Sequence, residues 1–177
     1  MSNLLAVITG AVGAALMPTW MLQLRSDYGI SIRCVLTPSA ERFLSSKAMA
    51  AITGQPTYLE STWQVSGKAL HKELAYWADK VLVAPASLNS MSKIRQLDSS
   101  NLALAVVAFT VAPTYIVPAV SGPVTRKDRY KELLASLRKD YTLILPSTNK
   151  SVSLVSFNPE EGGMATYEDV RSKLQLG

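Results

Sequence analysis

The stretch "KVLVAPASLNSMSKI" (80–94) decides the fold. "KVLVAPA" reads as a buried strand, and "SLNSMSKIRQL" (87–97) as the start of a helix. A strand therefore passes into a helix through the polar run Pro85-Ala86-Ser87-Leu88-Asn89-Ser90. Caps alone account for Ser87 or Asn89, but not for the whole run of hydroxyl and amide side chains. Just upstream, "KALHKELAYWA" (68–78) carries Leu70, Leu74 and Trp77 at helical spacing and holds the only histidine, His71.

The same alternation continues outward. "LLAVITG" (4–10) reads as a buried strand and "AVGAALMPTWMLQLR" (11–25) as a turn entering a helix. "ISIRCVLT" (30–37) is a second strand, followed by "PSAERFLSSKAMAAIT" (38–53), a helix opened by Pro38 and Ser39 and ended by Gly54-Gln55-Pro56. "TYLESTWQVSGK" (57–68) is expected as loop or short strand. "NLALAVVAF" (101–109) is expected as a buried helix, although an apolar run of that length also fits a strand. "TYIVPA" (114–119) is a strand and "RKDRYKELLASLRK" (126–139) a helix with Leu133, Leu134 and Leu137 inward. "YTLILP" (141–146) and "SVSLVSF" (151–157) are short strands, and "TYEDVRSKLQL" (166–176) is a helix capped by Thr166. Strands alternating with helices imply an α/β, doubly wound, mostly parallel sheet in a single domain over 1–177.

Composition narrows the function classes. Nearly half of the 177 residues are apolar and 18% are charged, so the chain can bury a core. The net charge of +5 is scattered; the densest group, Arg126, Lys127, Arg129 and Lys131, reads as a solvated helix face, and no nucleic-acid partner is expected. Leu4 to Leu24 is uncharged and long enough to span a bilayer, but Thr9, Gly10, Gly13, Pro18 and Thr19 break it and no positive residue precedes it. No membrane insertion is expected. The single cysteine, Cys34, points to a reducing compartment, the cytoplasm. One His and one Cys cannot assemble a zinc site, and no Gly-x-Ser-x-Gly elbow accompanies His71.

A parallel sheet of this kind binds its ligand beyond the carboxyl ends of the strands. Three such ends carry suggestive chemistry: "TGAVGAA" (9–15), where small residues let backbone approach a ligand; "TPSAERF" (37–43), with Thr37, Ser39 and Phe43; and "PASLNS" (85–90). Polar, uncharged strand ends suit a phosphate-bearing cofactor held by amides and hydroxyls rather than by lysine.

The chain resembles the homo-oligomeric flavin-containing Cys decarboxylases, which include phosphopantothenoylcysteine decarboxylase and the peptidyl-cysteine decarboxylases of lantibiotic synthesis. "PASLNS" is similar to the family's Pro-Ala-Ser-Ala-Asn-Thr motif, and His71 lies fourteen residues before Pro85, the spacing of the family's active-site His. "VLTPSAERFL" (35–44) and "ITGAVGAAL" (8–16) match its flavin-contacting segments. The resemblance implies a flavodoxin-like, Rossmann-like domain with bound FMN, in a homotrimer or a dodecamer built from trimers. It implies Gly10, Ala11, Val12, Thr37, Ser39, Phe43, Pro85, Ala86, Ser87, Ser90 and Met91 as cofactor-binding residues. It also implies His71 as catalytic base and Asn89 as a group orienting the flavin or an intermediate.

Two departures direct the choice within the family. The substrate motif Pro-x-Met-Asn-x-x-Met-Trp is here Pro118-Ala119-Val120-Ser121-Gly122-Pro123-Val124-Thr125, so Ser121 stands where the family holds the substrate carboxylate with Asn. Val120, Ser121, Gly163 and Met164 are the expected substrate residues, the last two within "SFNPEEGGM" (156–164), which resembles the loop that closes over the peptide tail. No cysteine follows Cys34, whereas phosphopantothenoylcysteine decarboxylases use a late cysteine to reduce their product. The expected activity is therefore oxidative decarboxylation of a precursor peptide's C-terminal cysteine to an aminoenethiol, with no metal. A phosphopantothenoylcysteine decarboxylase-like enzyme, a non-catalytic FMN-binding regulatory subunit and a flavin prenyltransferase are the alternatives.

Overall fold

The computed structural model describes residues 2–65, 69–148, 150–152 and 158–176. Strand β1 (Asn3–Ile8) is buried from Leu4 onward on both faces, as its unbroken apolar run requires. It is flanked by β2 (Ser31–Leu36) and, downstream in the chain, by β4 (Lys80–Ala86), so that Ala6 faces Cys34 on one side and Leu82 on the other. With β3 (Thr57–Tyr58), β5 (Thr114–Pro118) and β7 (Thr142–Leu143) the sheet order is β3-β2-β1-β4-β5-β7, every pair parallel. This is the doubly wound class that the alternation predicts and the flavodoxin-like, Rossmann-like domain that the resemblance implies.

Alternating residues of β1 feed two separate cores. Leu4, Ala6 and Ile8 pack under α1 (Met17–Tyr28), α2 (Ser46–Thr53) and α8 (Tyr167–Leu174). Leu5 and Val7 pack under α4 (Leu70–Trp77), α5 (Leu88–Arg95), α6 (Leu102–Phe109) and α7 (Asp128–Leu137). Each Leu, Val or Ile so buried contributes about 1.5–3 kcal/mol, which is what holds the strand ends in register. The chain leaves β1 in opposite directions, towards β2 and then back to β4. The crevice between those two excursions lies at the carboxyl ends of β1 and β4.

Three elements differ from the sequence expectation, and one ambiguous run resolves to the helix expected. Pro38 and Ser39 do not open α2; residues 40–42 form a 3₁₀ turn, and Ser45 caps the helix by accepting from the Ala48 N–H at 3.4 Å. The displaced segment is held by Thr37, whose backbone oxygen accepts from both Ala40 and Glu41. "TYLESTWQVSGK" contains the two-residue edge strand β3 and then a helix, α3 (Glu60–Val65), with residues 66–68 outside the described set. The ambiguous "NLALAVVAF" is the helix α6, fixed by Asn101, whose side chain accepts from the Leu104 N–H at 2.9 Å. "YTLILP" contributes only the two residues of β7.

A small antiparallel sheet stands beside the main one, in the order β6 (Val120–Ser121), β9 (Pro159–Gly163), β8 (Lys150–Val152). Val120 pairs with Gly163 and Ser121 with Gly162, while residues 153–157 of the expected strand "SVSLVSF" lie outside the described residues. Thr166 caps α8 through a reciprocal pair with Asp169, as expected. Among the described residues no helix is long and apolar enough to cross a membrane.

Candidate active site

A cleft of about 490 Å³ opens at the carboxyl ends of β1, β2 and β4. Thr9, the first residue beyond β1, ties its walls together. Its hydroxyl is buried, donates to the Pro85 carbonyl at 2.7 Å and accepts from the Ser87 N–H at 2.9 Å. The Ala84–Pro85 peptide is cis. Ser87 then caps α5: its Oγ accepts from the Ser90 N–H at 3.2 Å and lies 2.9 Å from the Ser90 hydroxyl. The polar run thus spends some of its hydroxyls on its own helix start, while Ser87, Asn89 and Ser90 all still face the cleft.

On the opposite wall the β1 loop and the β2 loop touch. A Cβ on Gly10 would collide with the Ser39 Cβ and lie 3.0 Å from the Ser39 carbonyl carbon, so only glycine permits this approach. Gly10, Thr37 and Ser39 line the cleft there. Thr37 Oγ1 also accepts from the Ala40 N–H at 3.3 Å, which braces the loop.

The structure therefore brings Gly10, Thr37, Ser39, Ser87, Asn89 and Ser90 together around one cavity. It puts the other sequence-derived candidates elsewhere. Ala86 and Met91 are wholly buried in the core beneath α5, and Val12 and Phe43 are exposed outside the cleft. Ala11 and Pro85 are not in the lining either; their backbone carbonyls accept from Ala14 and Thr9 respectively. His71 is also absent from the lining. It sits in the first turn of α4, packed between Trp63 and Phe109.

Sequence reasoning missed three polar lining residues, Thr9, Lys93 and Asn101. Thr9 gave no signal beyond its position, because its bonds reach residues 76 and 78 positions away. Lys93 lies one helical turn after Asn89, a spacing that puts both on one face, so it was findable. As the one charged residue among the described lining, it also corrects the expectation of a cleft without lysine. Asn101 reaches the cleft from the cap of α6.

A second cavity of about 340 Å³ lies on the far side of β5. Val120 and Gly163 line it, with Pro118, Tyr130 and Leu134 as apolar walls and Glu161 at its edge. Burial raises the Tyr130 phenol above its ordinary range, and Arg138 offsets this only in part. Pro118 is paired with Ala86 and the Ala119 N–H donates to the Ala86 carbonyl at 2.9 Å, so a wall of the second cavity is the strand next to β4, which leads into the first. Ser121 is exposed, and Met164 leans across the top of the sheet: a Cβ on Gly13 would lie 2.7 Å from its sulfur. Cys34 faces neither cavity. It is buried in β2, and desolvation pushes its thiol up to about 12. Among the described residues no group of three or more His, Cys, Asp or Glu could hold a metal.

Known proteins share both the sequence and the architecture. The chain is 31% identical over 118 residues to the coenzyme A biosynthesis bifunctional protein CoaBC of Vibrio cholerae, covering 65% of this chain and 29% of that protein. It is 28% identical over 183 residues to coenzyme A biosynthesis protein 3 of Saccharomyces cerevisiae, covering 95% and 32% respectively. The chain thus spans about a third of the length of these curated relatives. Among solved structures, the FMN-dependent cysteine decarboxylase SpaF superposes with a TM-score of 0.83 at 24% identity, covering 99% of this chain and 97% of that one. A PPC decarboxylase mutant complexed with pantothenoylaminoethenethiol gives the same values. The FMN binding protein AtHal3 superposes with a TM-score of 0.78, also at 24% identity, covering 99% and 95%. The sequence model of the Flavoprotein family matches residues 1–175, and with the switch-point cleft and its hydroxyl-lined strand ends this establishes that the chain belongs to the Flavoprotein family.

Proposed function

We propose that this protein is an FMN-dependent decarboxylase acting on the C-terminal cysteine of a precursor peptide. The cleft suits FMN: it has the volume for a nucleotide-sized ligand, a glycine where two loops close on each other, and hydroxyls with one lysine for a phosphate. Bound FMN would supply a two-electron oxidation of the cysteine side chain to a thioaldehyde, the electron sink that lets the carboxylate leave. The chain's own residues bind, orient and move protons. Asn89 faces the cleft from the start of α5 and orients what lies over the flavin; Lys93, one turn on, offers a cation. The second cavity gives the residues preceding the cysteine a place to lie, since its wall strand β5 neighbours β4, which leads into the cleft.

His71 is the proposed base for the thiol proton. It lies outside the lining of its own cleft, packed against Trp63 and against Phe109, which is 45% exposed. This favours an assembly of copies, a homotrimer or a dodecamer of trimers, in which His71 of one protomer serves the cleft of the next.

The observation that carries the peptide reading is the thiol inventory. The one cysteine is Cys34, buried and held protonated, so this chain offers no thiol to return electrons to the product. A phosphopantothenoylcysteine decarboxylase-like activity is the second reading, favoured by the CoaBC likeness. Anaerobic incubation of the FMN-loaded protein with Cys-terminated peptides tests both. The expected product is lighter by about 46 Da, carbon dioxide plus two hydrogens, with flavin bleaching in step. Loss of about 44 Da, or turnover of phosphopantothenoylcysteine alone, supports the second reading instead. Bound FMN with neither reaction overturns both and leaves a non-catalytic flavin-binding subunit. An amidated C-terminus should abolish the reaction, because the carboxylate is the leaving group.

A further inference from the structure

His71 has an unusual set of neighbours for a proton acceptor. Its ring centroid lies 5.6 Å from that of Trp63 in α3, with the planes at 71°, and 5.1 Å from that of Phe109 at the end of α6, at 70°. Nδ1 is shut away from solvent and has no hydrogen-bond partner among the described residues. The nearest carboxylate along the helix, Glu73, is turned to Arg33 at 3.9 Å. The nearest cation in sequence, Lys72, lies 5.6 Å from the Phe109 ring centroid.

A neutral imidazole has one N–H and one lone pair, and the partner of one nitrogen decides which is which. Usually a carbonyl or carboxylate accepts from one nitrogen and leaves the other as base. Here Nδ1 has no such partner among the described residues, and two rings pack edge-to-face with the imidazole. Ring faces carry excess electron density, so they attract an N–H and repel a lone pair. A buried nitrogen with only rings for company is better placed to keep the hydrogen than to present a lone pair. Phe109 fits this role better than a core role: residues 102–107 of α6 are buried, whereas Phe109 is 45% exposed.

We propose that Trp63 and Phe109 are positioning residues that hold His71 as the Nδ1–H tautomer, leaving the Nε2 lone pair to accept the substrate proton. The role of His71 as base rests on the function proposed above; the tautomer does not. Because the chain has one histidine, long-range proton–nitrogen NMR of the labelled protein reads both ring nitrogens without assignment, at a pH where the ring is neutral.

The expected spectrum shows protonated Nδ1 and bare Nε2. Phe109→Leu, at a half-exposed position, should lower the Nδ1–H to Nε2–H ratio roughly fivefold, and Phe109→Tyr should keep it. Trp63→Leu should act like Phe109→Leu. Predominant Nε2–H in the unsubstituted protein, or an unchanged ratio in both Leu variants, overturns the proposal. Lost activity in Phe109→Leu with the ratio intact also overturns it while sparing His71 as base. An active His71→Asn variant would remove the base and leave the clamp to be judged by the spectra.

Discussion

Thr9→Val tests how the cleft is held together. The substitution removes one buried hydroxyl at nearly constant volume. The Pro85 carbonyl keeps a second donor, the Thr9 N–H at 3.2 Å, so it is not stranded. The Ser87 N–H loses the Thr9 hydroxyl, its partner among the described residues. One lost bond costs about 1 kcal/mol and the part-buried Ser87 N–H left unpaired about 1–3 kcal/mol more, so the total is about 2–4 kcal/mol. At about 2–4 °C per kcal/mol for a chain of this size, Tm should fall by roughly 4–16 °C. Urea titration is the second readout: the midpoint should move while the slope stays fixed, because the denatured state is unchanged. Thr9→Ser, which keeps the hydroxyl, should recover most of the loss. FMN affinity should also fall, since Ser87 lines the cofactor cleft. A Thr9→Val protein within about 0.5 kcal/mol of the parent would refute the assignment of Thr9 as the tie between β1 and β4.

Gly10→Ala drives a Cβ into Ser39; an overpacking cost of about 1–3 kcal/mol should weaken FMN binding roughly 5- to 150-fold, and unchanged affinity by fluorescence titration would count against the close approach. If His71 serves a neighbour's cleft, mixed oligomers of inactive His71→Asn and Asn89→Asp chains should regain about a quarter of parental activity at equal mixing, the chance that both required groups meet; no recovery would place them in one protomer. Burial raises the Cys34 thiol to about 12, so its contribution to stability is complete below the ordinary thiol value of 9.0 and is lost as pH climbs towards the folded value. The stability difference between the parent and Cys34→Ala should shrink across that window in urea titrations, and a constant difference would refute it.

The central strands were legible because burial on both faces writes itself into the sequence as unbroken apolar runs, as in Leu4–Ile8 and Val81–Ala86. Caps were legible where one side chain meets its own helix, as with Ser87 and Thr166. The extent of the edge strands β3 and β7 was not, since two residues paired on one side carry no period. Nor was β9: "PEEGG" contains no strand former, and its pairing depends on Val120 and on Gly162, whose φ of +86° a side chain rarely adopts. Ser39 was misread as a helix cap because what fixes it is contact with Gly10, thirty residues away and invisible to local propensity. For the same reason motif spacing marked His71 but could not say which cleft it addresses.

The contact between Met164 and Gly13 bears on how such a protein can diversify. An unbranched thioether resting against a bare backbone is an undemanding joint, tolerant of small shifts and of changes on either side. The three-stranded ribbon that faces the second cavity is tied to the cofactor end by this seam and by the short link through Ala119. Its residues can drift, as Val120-Ser121-Gly122-Pro123 already has, while the hydroxyl-lined end of the sheet stays as it is. On the proposed function, the architecture separates a redox half from a replaceable recognition half, and new substrates can be reached by rewriting the ribbon alone.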